Sequence, residues 1–345
     1  MKPLLYLRNA ALFALALFLG SRCLDTLVPE PHFMRSELDY FSEHKDEFDV
    51  LFLGSSVLRR GVIPREFDAR LSELGHEVKS FNLAIPGMRA HELNFFLEQI
   101  LALKPARLRW IVMELDRFNP VIQEENQLAA RMVYWHDLPQ TLLALESVRL
   151  EQGPILEQLE AAKVHTVLFG AKLSHIGRGP DWFVELREGW HAQADEALIE
   201  NQGWVPFSPD EVAGLGDSRV AENRRMLLDD PEWYAREVEA LRESNQNLSS
   251  SEGFNFKAFE DRKARAQAAG VKLIHVLPPQ LDLLPHIHQA LEQGELQPTL
   301  DYHHPDRFPE FYRIEHHFDR NHLNLVGAQL WSRRLAEDFA ARLDA

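Results

Sequence analysis

The chain has 345 residues, 45% apolar and 26% charged, the makeup of a folded globular protein with one large domain or two small ones. Its formal charge of −16 argues against nucleic acid or an anionic membrane surface as the main partner. A single cysteine, Cys23, excludes an intramolecular disulfide and a cysteine metal cluster.

Taken in chain order, the first feature is an apolar run, 9–20, with Lys2 and Arg8 before it and Asp25, Glu30, Glu37 and Asp39 after it. Positive charge before an apolar segment and acid after it predicts an N-terminus inside and the remainder outside. Residues 1–28 therefore read as a membrane anchor or signal segment, with Arg8 and Arg22 snorkelling at the two faces. The strict apolar core is shorter than a full span, so a cleaved signal and a buried soluble helix stay open as alternatives. Residues 29–48 form a polar connector ending in a short helix at 36–45.

From Asp49 strands and helices alternate. A β-rich apolar run at 49–53 ends at Gly54 and predicts a buried strand. A helix at 64–74 follows, with Pro64 suited to its first turn and Gly75 to its stop. A strand at 78–83 then leads to a helix at 90–103, whose Leu93, Phe96, Leu97, Ile100 and Leu101 recur at helical spacing. A further strand is predicted at 109–115. Such alternation implies right-handed crossovers and a parallel sheet covered on both faces.

The stretch at about 120–248 breaks this rhythm. It is rich in Trp, Glu, Arg and His, with helix-like segments at 138–150 and 231–242 and no strand repeat. It reads as a helical insertion over the carboxyl face of the sheet, within one α/β domain spanning 29–345. Its Trp135, Trp182, Trp190, Trp204 and Trp233 suit either sugar stacking or core packing. The α/β pattern resumes with a helix at 256–269, a strand at 271–277 and a last helix from 324 or 325 to 343.

The chemistry lies at the two ends of this pattern. Ser55 and Ser56 follow the first strand, where open α/β sheets bind ligands outside the carboxyl ends of their strands. A serine hydroxyl is a poor nucleophile until a base takes its proton and a third group orients that base. Asp319 and His322, three residues apart, are placed to supply orienter and base. The plain alternative is a serine turn and a capped start to the last helix.

Four stretches carry a family resemblance: Phe52-Leu53-Gly54-Ser55-Ser56 with Pro64 beyond it, Asn82-Leu83-Ala84-Ile85-Pro86-Gly87, Ile111-Val112-Met113-Glu114-Leu115-Asp116, and Asp319 with His322-Leu323-Asn324. Together they make the chain resemble the SGNH (GDSL-type) hydrolases. Within that superfamily it is most similar to the membrane-tethered, cell-envelope branch related to alginate O-acetyltransferases. The likeness covers 48–119 and 255–345. It implies a flavodoxin-like three-layer α/β/α sandwich and picks Ser56, not Ser55, as nucleophile, with His322 and Asp319 completing a triad.

The same likeness implies an oxyanion hole built from the amides of Ser56 and Gly87. Its third block departs from the family, which carries glycine and an oxyanion-donating asparagine where this chain has Glu114 and Asp116; Asn119 is the nearest replacement. The expected activity is a periplasmic serine esterase or O-acyltransferase acting on acyl groups of an envelope polysaccharide. A membrane-bound acyl-transfer partner is implied as the acyl source. A non-catalytic accessory protein on the same fold is the alternative.

Neither cofactor nor metal is expected. The histidine doublets at 303–304 and 316–317 point their side chains apart on regular structure, and no His-Glu-x-x-His helix is present. The glycine fingerprint of dinucleotide sites is missing after the first strand, and Leu58 stands where an α/β-hydrolase elbow needs its last glycine.

Overall fold

The computed structural model describes residues 2–25, 32–174, 199–207, 214, 216, 218–248 and 253–344. The chain divides into two compact units, one of Met1–Asp39 with Phe118–Gln193, the other of Tyr40–Arg117 with Ala194–Ala345. The stretch at 120–248 is thus shared between both units.

The first unit is helical. It holds α1 (Lys2–Asp25) and the larger, N-terminal part of α2 (His32–His44), up to Asp39. Beyond residue 117 come α6 (Ala130–Trp135), α7 (Leu138–Leu150) and α8 (Ile155–Ser174). Asp137 caps α7 by accepting from the Gln140 amide at 2.9 Å. Val133, Val164, Leu168 and Ala171 form its small core, and α1 packs on α8. The helix α1 falls where a membrane anchor was expected, yet no helix among the described residues is long and apolar enough to cross a membrane. The physical reason is the shortness of the uninterrupted run 10–19, ten residues after Arg8 and Asn9. At ~1.5 Å per residue that covers about half of a ~30 Å hydrocarbon core.

The second unit holds a five-stranded parallel sheet in the order β2-β1-β3-β4-β5. Its strands are β1 (Val50–Leu53), β2 (Ser80–Asn82), β3 (Trp110–Glu114), β4 (Lys272–Leu277) and β5 (Thr299–Asp301). This strand order is that of flavodoxin-like doubly wound sheets, whose switch point lies between β1 and β3. Among the described residues, the unit's sheet is accompanied by helices α3 (Ser56–Gly61), α4 (Pro64–Glu73), α5 (Ala90–Ala102), α9 (Arg219–Asp229), α10 (Pro231–Gln246), α11 (Phe256–Ala268), α12 (Pro285–Glu292) and α13 (Leu325–Leu343).

Helices cover both faces, as in a three-layer sandwich. Alternate strand residues Val50, Phe52, Val112, Ile274 and Val276 face one core, closed by Phe67 and Leu71 of α4 and Trp331, Leu335 and Phe339 of α13. On the other face α5 and α11 pack together, and Phe259 of α11 meets the His275 ring edge-on at 5.6 Å. Among the described helices and strands, α3, α6, α8, α9, α12 and the edge strand β5 were not foreseen. Trp331 is fully buried against Gly61, where an added Cβ would lie 2.6 Å from the indole ring. Trp331→Ala is expected to cost about 3–5 kcal/mol, read as a lowered denaturant midpoint at unchanged slope.

Three of the insertion's tryptophans are held in packing. Trp135 is buried and stacks on His136 at 3.7 Å, Trp204 donates to the Arg60 carbonyl at 2.9 Å, and Trp233 packs on the main core. Trp182 and Trp190 lie outside the described residues.

Candidate active site

Ser55 ends the extended segment after β1 and caps α3, its hydroxyl accepting from the Val57 amide at 3.2 Å. Ser56 is therefore the first residue of α3, at the carboxyl edge of the sheet beside the β1/β3 switch point. Asn82, buried at the end of β2, braces this short helix. Its amide group donates to the carbonyls of Leu58 and Val62, both at 2.9 Å. Arg59 reaches back to the Ala84 carbonyl at 3.0 Å, so the Ser56 turn is tied to the second motif by side chains from both directions.

From the far end of the chain, residues 318–322 bring up the other two groups. His322 Nε2 lies 2.8 Å from Ser56 Oγ, and His322 Nδ1 lies 2.9 Å from both Asp319 oxygens. Asp319 Oδ1 also accepts from the amides of Asn321 and His322, each at 2.8 Å. Only 1% of Asp319 is exposed; burial works to raise its pKa, but the His322 contact and the backbone amides outweigh it and hold the carboxyl below its usual range. Asp319 thus orients His322 from a turn of its own. The cap of the last helix, α13, is Asn324, accepting from the Gly327 amide at 3.1 Å.

That turn is fixed on two sides. An antiparallel bridge joins His317 to Leu323, and the Phe318 amide donates to the His322 carbonyl at 2.8 Å. Arg320 donates to Glu237 at 2.7 Å and to Asp282 at 2.5 Å, while Asn321 donates to Asp282 at 3.0 Å. Phe207 lies edge-on to the His322 ring at 5.3 Å and stacks on Phe318 at 3.8 Å. The imidazole is therefore locked by packing as well as by its hydrogen bonds. Phe207 had no signal in the sequence, because only the folded chain carries it to the histidine.

Ser56, Gly87, Asp319 and His322 line one cleft, along with Arg89, Arg219, Asn223, Gln280, Asp282 and Asn321. Gly87 adopts φ +73°, a left-handed turn after Pro86 that favours glycine. Asn119 belongs to the helical unit, where its Oδ1 accepts from the Val121 amide at 2.9 Å. It is engaged in a local turn.

The residue that sequence reasoning undervalued is Glu114. It ends β3, is buried, and accepts from the Ser55 amide at 2.6 Å and the Ser55 hydroxyl at 2.8 Å. Burial pushes its carboxyl up to about 7, against the opposing pull of the two Ser55 contacts. Asp116 is raised too, again chiefly by burial, with the Ala90 amide 3.2 Å from its oxygen. Gly54 serves close approach here, since a Cβ at that position would meet Glu114 Oε2 at 2.6 Å and Leu58 at 2.8 Å.

A carboxyl raised in the folded state binds its proton more tightly there than in the unfolded chain. Its contribution to stability is complete below pH 4.5 and is lost as pH rises towards about 7. Glu114→Gln keeps a partner for both Ser55 groups and removes the titration. The variant's stability curve is expected to lack a fall of up to about 1.4 kcal/mol per pH unit in that window. Urea melts of both proteins across the window provide the check.

Among the described residues one group has metal-ligand spacing, His288, Asp301 and His304, and none of its members lines this cleft. No protein-family model matches the chain, and no curated protein matches it.

Proposed function

We propose that the chain is a serine esterase or O-acyltransferase of the SGNH type, acting on acyl groups of an envelope polysaccharide. One observation carries this reading: the unbroken line from Ser56 Oγ through His322 to Asp319, with 2.8 Å and 2.9 Å contacts. Ser56 Oγ attacks the acyl carbonyl while His322 Nε2 takes the hydroxyl proton. The tetrahedral oxyanion collapses, the substrate oxygen leaves with the proton from His322, and Ser56 holds the acyl group. Water or a sugar hydroxyl then attacks that ester, gives its proton to His322, and the proton returns to Ser56. The amides of Ser56 and Gly87 are the proposed oxyanion donors.

The polar rim of Arg89, Arg219, Asn223, Gln280 and Asn321 supports a hydroxyl-rich substrate over a lipid. Exposed apolar side chains along α1, with Leu7 69% and Phe13 70% exposed, support attachment of the N-terminal segment to a membrane. On this reading the catalytic unit is periplasmic and a membrane-bound partner supplies the acyl group. The site needs no cofactor for these steps.

The test is a fluorophosphonate probe on the intact chain. Covalent labelling mapped to Ser56 is the expected result. A folded wild type that stays unlabelled, and releases no acetate from an acetylated glycan, would instead favour a non-catalytic accessory role, which the buried acid Glu114 beside the turn makes the sensible rival. Supplying acyl-glycan and an acceptor sugar, with water competing, separates transferase from hydrolase.

A further inference from the structure

We propose that His288, Asp301 and His304 form a binding site for one divalent transition-metal ion of the zinc type. The site is separate from the proposed nucleophile and goes beyond the acyl-transfer reading. His288 lies in α12, Asp301 is the last residue of β5, and His304 follows three residues later. The ligand atoms of all three lie within 4.8 Å of one another.

Two of the three separations bracket what a tetrahedral ion requires. Ligand atoms bound at ~2.0–2.1 Å stand about 3.3 Å apart around such an ion. His304 Nε2 is 2.8 Å from Asp301 Oδ2, and His288 Nδ1 is 3.6 Å from the same oxygen. The second separation exceeds hydrogen-bond reach, so a buried imidazole nitrogen and a carboxylate oxygen face each other across a gap. An ion bridges that gap, and the hydrogen now shared by Asp301 and His304 is displaced as His304 shifts to its Nδ1–H form.

The supports behind these ligands are already in place. His288 Nε2 is 2.8 Å from Nδ1 of the fully buried His303, the outer hydrogen bond that fixes ring orientation in metal-bound histidines. The His303 amide donates to Asp301 Oδ1 at 2.9 Å, which leaves Oδ2 as the ligand atom. Two imidazoles and one carboxylate suit Zn²⁺ or Co²⁺ and do not suit Mg²⁺ or Ca²⁺, which prefer oxygen cages. His304 is partly exposed, so water can reach the fourth position. The ion would pin α12 to β5, an edge strand of three residues that pairs with β4 alone.

Co²⁺ titrated into the chelator-treated full chain is the test, because its visible bands report tetrahedral nitrogen and oxygen ligation. The expected result is one ion per chain, displaced by Zn²⁺, and a rise in Tm on Zn²⁺ addition. His304→Ala, at a partly exposed position, and the near-isosteric Asp301→Asn should each weaken binding at least about tenfold and abolish the Tm rise. Absence of stoichiometric Co²⁺ or Zn²⁺ binding by the wild type would overturn the proposal. So would unchanged affinity in these variants once their circular dichroism shows them folded. Fluorophosphonate labelling of Ser56 should be the same in both variants and the wild type, so failure here is distinct from failure of the acyl-transfer reading.

Discussion

Ser56→Ala is expected to lower esterase turnover by on the order of 10⁴- to 10⁶-fold and to abolish fluorophosphonate labelling. The size follows from what the hydroxyl does. On the proposed reading it is the atom that becomes acylated, and its proton is the one His322 Nε2, 2.8 Å away, would take first. The fold should survive, because Ser55, the α3 cap and the Asn82 brace do not use the Ser56 hydroxyl. A protein with intact circular dichroism and no turnover is the anticipated outcome. Turnover within tenfold of wild type would place the nucleophile elsewhere, with Ser55 the neighbour to examine by mass spectrometry of the labelled peptide.

Asp319→Asn is expected to reduce kcat by about 10⁴-fold with little change in KM. Asparagine keeps an oxygen for the Asn321 and His322 amides, so the turn retains its shape. Its NH₂ group then faces His322 Nδ1, which must accept instead of donate. The ring hydrogen moves to Nε2 and points at Ser56, the wrong tautomer for a base. Asp319→Ala should act differently. It strands the buried His322 amide, at a cost of about 1–3 kcal/mol, and the half-buried Asn321 amide, and should lower Tm as well as activity. Parallel measurement of kcat, KM and Tm on the two variants separates orientation of the base from support of the turn.

Much of this site was legible before folding was considered. Ser56, Asp319 and His322 sit beside signals that do not depend on tertiary context: an apolar strand run ending at Gly54, and a short polar turn before a long helix. The strands at 49–53, 78–83, 109–115 and 271–277 were visible through β-rich apolar runs and differ from the observed bounds only at their ends. β5 was not visible, because three residues after Gln297 and Pro298 carry no periodicity. α8 escaped notice because Ile155, Leu156, Leu159 and Val167 are exposed and blur any apolar stripe. α3 is six residues long, starts with serine and ends with glycine, a composition that also spells a turn.

Glu114 illustrates a deeper limit. Its partner is set by sheet register, since Leu53 pairs with Met113 and the next residue of each strand is thereby brought alongside. Nothing local to 111–116 announces that Glu114 will meet Ser55. The same reason hid His288, Asp301 and His304, which come together from a helix, a strand end and a loop.

The fit between positions 54 and 114 has a consequence for anyone who reshapes this protein. A bare backbone on one strand and a long acid on its neighbour occupy a single shared volume. Gly54→Ala alone should therefore misfold or lose several degrees of Tm, and adding Glu114→Ser should recover only part of that loss, because the Leu58 side chain and the Cβ of residue 114, 2.8 Å and 2.9 Å from the new methyl, stay in place. Positions 54, 58 and 114 must therefore change together, so stepwise evolution or library design that samples them one at a time will not enlarge residue 54.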